Sequence, residues 1–448
     1  MTDVAAGRGY RAEALGVGTL VLFGLAYLTP LVVLGTFGIV AQAARGATAS
    51  SYLVAVVAMV FTAASYGRMA SRLPVAGSAY AYVSHALDRR AGFMVGWAIA
   101  LDYFFIPMVT WLIGAAYLHD EFPGVPMPLF VLGLIVSTTW LNIVGFKVAK
   151  GAYVVLMVLQ GAVLLMFSAL AVTFVHHQSG LSGLVRTEPF WNAASGLMPI
   201  ASGAAIAAYS FLGFDAVTTL SEESHDPRRT LPVAIWTTVL LGGAIFVVVA
   251  WLAQLAHPGF QFKDVAAASS EISAAIGGKP FTTVFVTGML IAQYAAGAAT
   301  QAAGARLVFA MARDGVLPRR LLGTLSPKFG TPVGAVLLTG AVGLLAMFLS
   351  VESSTSFINF GAFSAFTAVN LAVIATGARE VNPKAGRDLF IWYVAPAIGA
   401  VIDLWLLTRL EKPAILVGLA WLCAGFGVLA YLTRGFSCPP PALHMEEH

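Results

Sequence analysis

The chain has 448 residues, 59% of them hydrophobic and only 10% charged, with a mean hydropathy of +0.84. Soluble domains carry about 25% charged residues, so this composition excludes a soluble fold and points to an integral membrane protein. The formal net charge of +4 lies mostly in loops between apolar stretches, where it acts as an insertion signal and not as a nucleic-acid surface.

A spanning helix needs about 20 apolar residues. Such stretches predict twelve spans, over 16–43, 50–71, 92–118, 127–146, 149–175, 195–220, 230–256, 278–312, 331–350, 354–377, 389–409 and 412–433. The first follows a short polar segment, 1–15, and lacks a small-residue cleavage site, so it reads as a retained helix and not a signal peptide. After the second span, RLPVAGSAYAYVSHALDRR mixes Pro74, Gly77, Tyr80 and Tyr82 with basic ends, and is expected to lie at the membrane surface. The connection 257–279 is the longest on the other side and is expected to hold a short helix. Ten spans followed by two more give a five-plus-five core over 16–377, an added pair over 389–433 and a tail over 434–448.

With the N-terminus inside, Arg68, Arg72, Arg89, Arg90, Lys147, Lys150, Arg228, Arg229, Arg313, Arg319, Arg320 and Lys328 face the cytoplasm. Arg45, Arg186, Lys263, Lys279, Arg409 and Lys412 remain outside. This bias predicts that both termini are cytoplasmic.

The first span of each half carries an interruption: Pro30 within GLAYLTPLVVLGTFG, and Gly213 within AAYSFLGFDAV. Alone, Pro30 is equally a kink in a packed helix, and Gly213 a close-packing residue. At corresponding positions of two halves, such interruptions point to a binding site on inverted repeats, because a broken helix exposes backbone groups that protein, water or ligand must satisfy.

Three carboxylates fall inside spans: Asp102, Asp215 and Asp403. A charge at the bilayer centre costs about 2.5–3.5 kcal/mol on insertion scales, so each needs a cavity, a partner or a proton. Asp102, in LDYFFIPM, has no basic residue on its helix, and Tyr103 and its phenylalanine neighbours offer ring faces to a bound cation. The alternative for Asp102 is a protonated acid bonded to a neighbouring helix. Asp215 follows the Gly213 interruption, where contact with a positive ligand and capping of the next half-helix are compatible roles. Asp403 is read as structural and partly solvated near Arg409. Tyr209, Phe211, Phe214 and Tyr294 are aromatic candidates for the same cavity.

Enzyme signals are lacking: there is no Walker P-loop, no HExxH and no CxxC pair, and Cys423 and Cys438 are the only cysteines. No cofactor or metal is expected. The partners expected are the lipid bilayer, a small cationic substrate such as a diamine, and protons or another coupling ion, with no nucleic acid.

The segments YLTP, LPVAGSAY, GFMVGW, LDYFFIPM, SFLGFDAVTTLSEE, ARDGVLP and INFGAFSAFTAVNL resemble the amino acid, polyamine and organocation transporter superfamily, and within it the bacterial putrescine importer group. The resemblance covers most of the chain. It implies an all-α membrane protein of LeuT-like fold, a five-plus-five inverted repeat with broken helices 1 and 6. It also implies secondary transport of a small aliphatic diamine, with proton symport the expected mode. The substrate-binding residues implied and read together are Thr29, Pro30, Asp102, Tyr103, Tyr209, Phe211, Gly213, Asp215 and Tyr294. Where many amino-acid carriers of the superfamily have a glycine-rich break for a substrate carboxylate, this chain has Thr29, Pro30, Leu31, Val32 and Val33, a departure that suits a substrate without a carboxylate. Where some proton-coupled relatives place a lysine on helix 5, this chain has Gln160. Gln160, Glu222 and Glu223 are candidates for coupling or gating. An amino-acid permease or exchanger on the same fold, or an amine-binding membrane receptor, are the alternatives.

Overall fold

The structure, a computed structural model, describes residues 15–75, 78–145, 150–221, 223–313, 317–381 and 386–440. Among these no strand forms; eleven helical segments are long and apolar enough to cross a membrane. The ninth expected span is the shorter apolar helix Val333–Phe348.

In chain order the helices are α1 (Val17–Leu28), α2 (Val32–Gly35), α3 (Phe37–Ala43), α4 (Thr48–Arg72), α5 (Ser78–Ala86), α6 (Arg89–Glu121), α7 (Met127–Val144), α8 (Lys150–Leu184), α9 (Leu197–Ala207), α10 (Pro227–Ala256), α11 (Ala268–Arg313), α12 (Arg319–Leu322), α13 (Val333–Gly343), α14 (Val351–Thr376), α15 (Gly386–Leu389), α16 (Ala395–Leu407) and α17 (Lys412–Leu432). Gly278, at φ 65°, breaks α11, which leaves its first residues as the short helix expected in the 257–279 connection.

How much of each span is covered by protein sorts the helices into layers. In the span containing α14, 78% of the apolar window is buried, against 17% for α7 and for α17. The last two are peripheral, and α14 is central. It crosses α6 closely because Gly361 has no side chain there: a Cβ would fall 2.6 Å from the Ala98 carbonyl. At the periphery, Trp97 of α6 and Trp421 of α17 stack with centroids 4.8 Å apart. Each indole N–H donates to the other residue's carbonyl at 2.8 Å, so α17 is fastened to α6 by a reciprocal pair.

The segment after α4 forms the short helix α5, which packs one face on the bundle, with Ala79, Tyr82 and Val83 fully buried. Its buried face reads Ala79, Tyr82, Val83, Ala86, a helical spacing of apolar positions that its basic flanks obscured.

Candidate functional site

The two interruptions are present and they touch. α1 ends at Leu28, and Thr29 adopts a left-handed conformation (φ 50°, ψ 78°). For a β-branched residue that conformation is strained. The chain resumes as α2 after Pro30 and Leu31, and the Leu31 amide reaches Gln160 Oε1 of α8 at 3.5 Å. In the sixth span, α9 tightens into a 3-10 turn over Ala208–Phe211. Leu212 is then extended, Gly213 takes φ 105°, and a second 3-10 stretch runs over Phe214–Leu220. A Cβ on Gly213 would fall 2.0 Å from Cδ1 of Tyr27, just before the first interruption. Only glycine meets both the backbone angle and the approach of that ring.

The freed backbone groups find partners on neighbouring helices, as a low-dielectric interior requires. Asn359 of α14 donates to the Ala205 carbonyl at 2.7 Å. Tyr117 and Ser269 both donate to the Leu34 carbonyl, at 3.1 and 2.7 Å. In α6, Pro107 cannot donate to the Tyr103 carbonyl four residues earlier. Gly304 of α11 lets the backbones come close there.

The acids sit beside this junction. Asp215 Oδ2 accepts from Ser78 Oγ, at the start of α5, at 2.8 Å. Asp215 lies in the first turn of its half-helix, whose N-cap position is Gly213 and so has no capping side chain. Asp102 lies against Gly361, and its buried Oδ1 has no hydrogen-bond partner among the described residues. Asp102 and Asp215 are within electrostatic reach of each other, and Tyr209 is within reach of Asp102. Neither acid forms an ion pair among the described residues.

Of the other expected residues, Tyr209 stands near this pair, whereas Tyr294 lines a different cavity. Tyr209 is almost fully buried, and the Phe211 ring packs edge-on against Phe246 of α10, centroids 5.1 Å apart. Tyr294 lines a mostly apolar cavity of about 390 Å³ with Trp111, Leu134 and Gln293. Glu223 has an exposed side chain; its carbonyl accepts from the Leu15 amide at 2.8 Å, and the His225 amide donates to the Leu15 carbonyl at 3.3 Å. Glu222 lies outside the described residues.

Sequence reasoning missed a ring cluster next to Asp215. Tyr66 of α4 packs edge-on against Tyr82 of α5 (6.0 Å), Phe214 (5.4 Å) and Phe366 of α14 (6.0 Å). Both tyrosines are fully buried, and their hydroxyls have no hydrogen-bond partner. The signal available was AYAYV in α5; its helical spacing places Tyr82, and not Tyr80, on the buried face.

Asp403 also departs from expectation. Instead of being partly solvated, it is fully buried, and its Oδ2 accepts from Thr62 of α4 and Asn370 of α14. Packing of α16 onto α4 and α14 removes the solvent that proximity to Arg409 suggested.

At the end of the bundle that carries Lys263 lies an open cavity of about 580 Å³, lined by Asp120, Asp264 and Glu352 with His119 and Lys263.

The amino acid permease family profile matches residues 20–377. The chain is 38% identical over 431 residues to the low-affinity putrescine importer PlaP of Escherichia coli (strain K12), an alignment covering 96% of this chain and 95% of that one. It is 26% identical to the branched-chain amino acid permease BcaP of Bacillus subtilis (strain 168), over 94% of this chain and 92% of the other. With the vacuolar cationic amino acid transporter 4 of Arabidopsis thaliana it shares 28% identity, over 81% of this chain and 61% of that one. A profile spanning most of the chain and a relative aligned over nearly all of it agree with the helical architecture: this protein is a multi-pass membrane protein of the amino acid permease family, a transporter of amino acids or polyamines.

Proposed function

We propose that the chain is a secondary active importer of a small aliphatic diamine, putrescine first, across the cytoplasmic membrane of a prokaryote, with both termini inside. The observation that carries this reading is the pair Asp102 and Asp215: two acids beside two adjoining helix interruptions, neither with a cationic side-chain partner. A substrate with two ammonium groups and no carboxylate matches that charge pattern. In this reading each acid takes one ammonium, and Tyr103 and Tyr209 flank the methylene chain with their rings. Carbonyls near Thr29 and Phe211 add hydrogen bonds. The similarity to a putrescine importer supports the same substrate class.

The transport core is 16–377, arranged as a five-plus-five inverted repeat around a site near the bilayer midplane, with 389–433 as an accessory pair. Alternating access would close the α5 and ring-cluster side and open the side of the acid-lined outer cavity, then reverse. Import of a dication is favoured by an inside-negative potential, by about 2.3 kcal/mol per charge per 100 mV. Protons are the coupling ion we favour, with Asp102 or Asp215 as one proton-binding group on the path. Gln160, at the helix 1 interruption, is a neutral side chain that does not repel a cationic substrate.

A second reading, an amino-acid permease, is favoured by the similarity to the two amino-acid carriers. The deciding experiment is uptake of labelled putrescine into proteoliposomes, competed by cadaverine, spermidine, ornithine, arginine and leucine. Competition by diamines alone supports the importer; stronger competition by amino acids than by diamines selects the permease. Specific binding without flux would instead indicate a receptor.

A further inference from the structure

We propose that Asp403 is a proton-binding site separate from the substrate cavity, and that its proton is taken up and released as α4, α14 and α16 shift against one another. The geometry is asymmetric. Asp403 is fully buried, yet both of its donors address one oxygen: Thr62 Oγ1 at 2.9 Å and Asn370 Nδ2 at 3.0 Å from Oδ2. Asn370 Nδ2 also donates to Thr62 Oγ1 at 3.2 Å, and Ser65 Oγ holds Asn370 Oδ1 at 2.5 Å. The donors are thereby turned toward Oδ2, while Oδ1 is buried with no partner.

An ionised carboxylate with a buried oxygen that no protein group pairs is a poor structural hub, because a buried charge needs pairing or solvation. The neutral acid resolves this by carrying its proton on Oδ1. Releasing the proton requires water or a donor to reach Oδ1, and the three helices that enclose it must then part. A proton that binds one arrangement better than another shifts the balance between them.

No charged neighbour supplies an alternative. On α4, Tyr52 hydrogen-bonds Thr36 and Ser210, and Tyr66 belongs to the ring cluster. Arg68 and Arg72 lie over Trp392, and Arg72 also pairs with Glu380. On α14 the only titratable side chain is Glu352, which lines the outer cavity; α9 has none. Tyr393 precedes α16, and Arg409 lies beyond its end without an ion pair to Asp403 among the described residues.

The site is adjacent to the substrate region without sharing its residues. Ser65 neighbours Tyr66 of the ring cluster, and Asn370 stands one helical turn from Phe366 of the same cluster. A shift of α4 against α14 therefore reaches both Asp403 and Asp215. That coupling rests on the importer reading; proton binding at Asp403 does not.

The test has two arms. In purified wild type, infrared difference spectra between acid and alkaline pH should contain a buried carboxylic-acid carbonyl band that Asp403→Asn deletes and Thr62→Val shifts. In proteoliposomes, an inward proton gradient should stimulate wild-type putrescine uptake, and Asp403→Asn should lose that stimulation while keeping gradient-free exchange. A band unchanged in Asp403→Asn, undiminished gradient stimulation in that variant, or replacement of the proton gradient by a sodium gradient would overturn the proposal. If wild type moves no amine, the importer reading fails and the infrared arm alone decides proton binding; if Asp403→Asn does not fold, the Thr62→Val shift decides it.

Discussion

Ser78 Oγ donates to Asp215 Oδ2, so the first residue of α5 is fastened to the broken sixth span at the acid proposed to hold an ammonium group. A carboxylate accepts several hydrogen bonds, so Ser78 can orient Asp215 while the acid also holds an ammonium group. Asp215→Asn keeps the shape and removes the charge. Hydrogen bonds to charged groups contribute about 1.5–3 kcal/mol, so putrescine affinity, measured by scintillation proximity on purified protein, should fall on the order of 10- to 100-fold. Ser78→Ala should change it by less than about tenfold; an Asp215→Asn protein with wild-type affinity would remove this acid from the site.

Asp102→Asn should weaken diamine binding by a similar factor, because this acid has no other cation to lose. The informative comparison is a monoamine of equal length. Wild type should prefer putrescine over butylamine, and each single Asn variant should lose most of that preference. Preference retained in both would mean that two acids do not read two charges.

Gly213→Ala places a methyl group into the Tyr27 ring and holds a side chain at φ 105°. Backbone strain of this kind costs about 1–3 kcal/mol. Uptake should be lost and the melting temperature lowered. Adding Tyr27→Ala should relieve the clash but not the backbone term, giving partial recovery of melting temperature; full recovery would show that the backbone angle carries no cost.

Asn359→Ala leaves the Ala205 carbonyl without its side-chain donor. A buried polar group left unpaired costs about 1–3 kcal/mol, so thermal stability in detergent should drop. Asn359→Asp can donate only while protonated, so its stability should fall toward that of Asn359→Ala as pH rises; equal stability of all three proteins at every pH would argue that water takes over the bond.

The spans were legible because apolar length is a property of single segments. The interruptions were legible too, since proline and glycine carry their backbone limits with them. Positions that depend on which helix lies alongside were not. Tyr66 reads as an ordinary apolar position of α4 until Phe214 and Phe366 pack against it, and Asp403 looked solvated because Arg409 is near in sequence, whereas Thr62 and Asn370, which enclose it, are distant along the chain. Ser78 was hidden for the same reason: its partner lies 137 residues away.

The exchange of backbone bonds between Leu15 and the Glu223–His225 segment yokes the entry to α1 to the exit of the sixth span. With Tyr27 lodged against Gly213 further along, the two half-helices are pinned at both ends, like the rails of a ladder held by two rungs. They must swing as one piece, so a spin-label pair across them should hold a constant separation through the cycle while either label's distance to α17 changes.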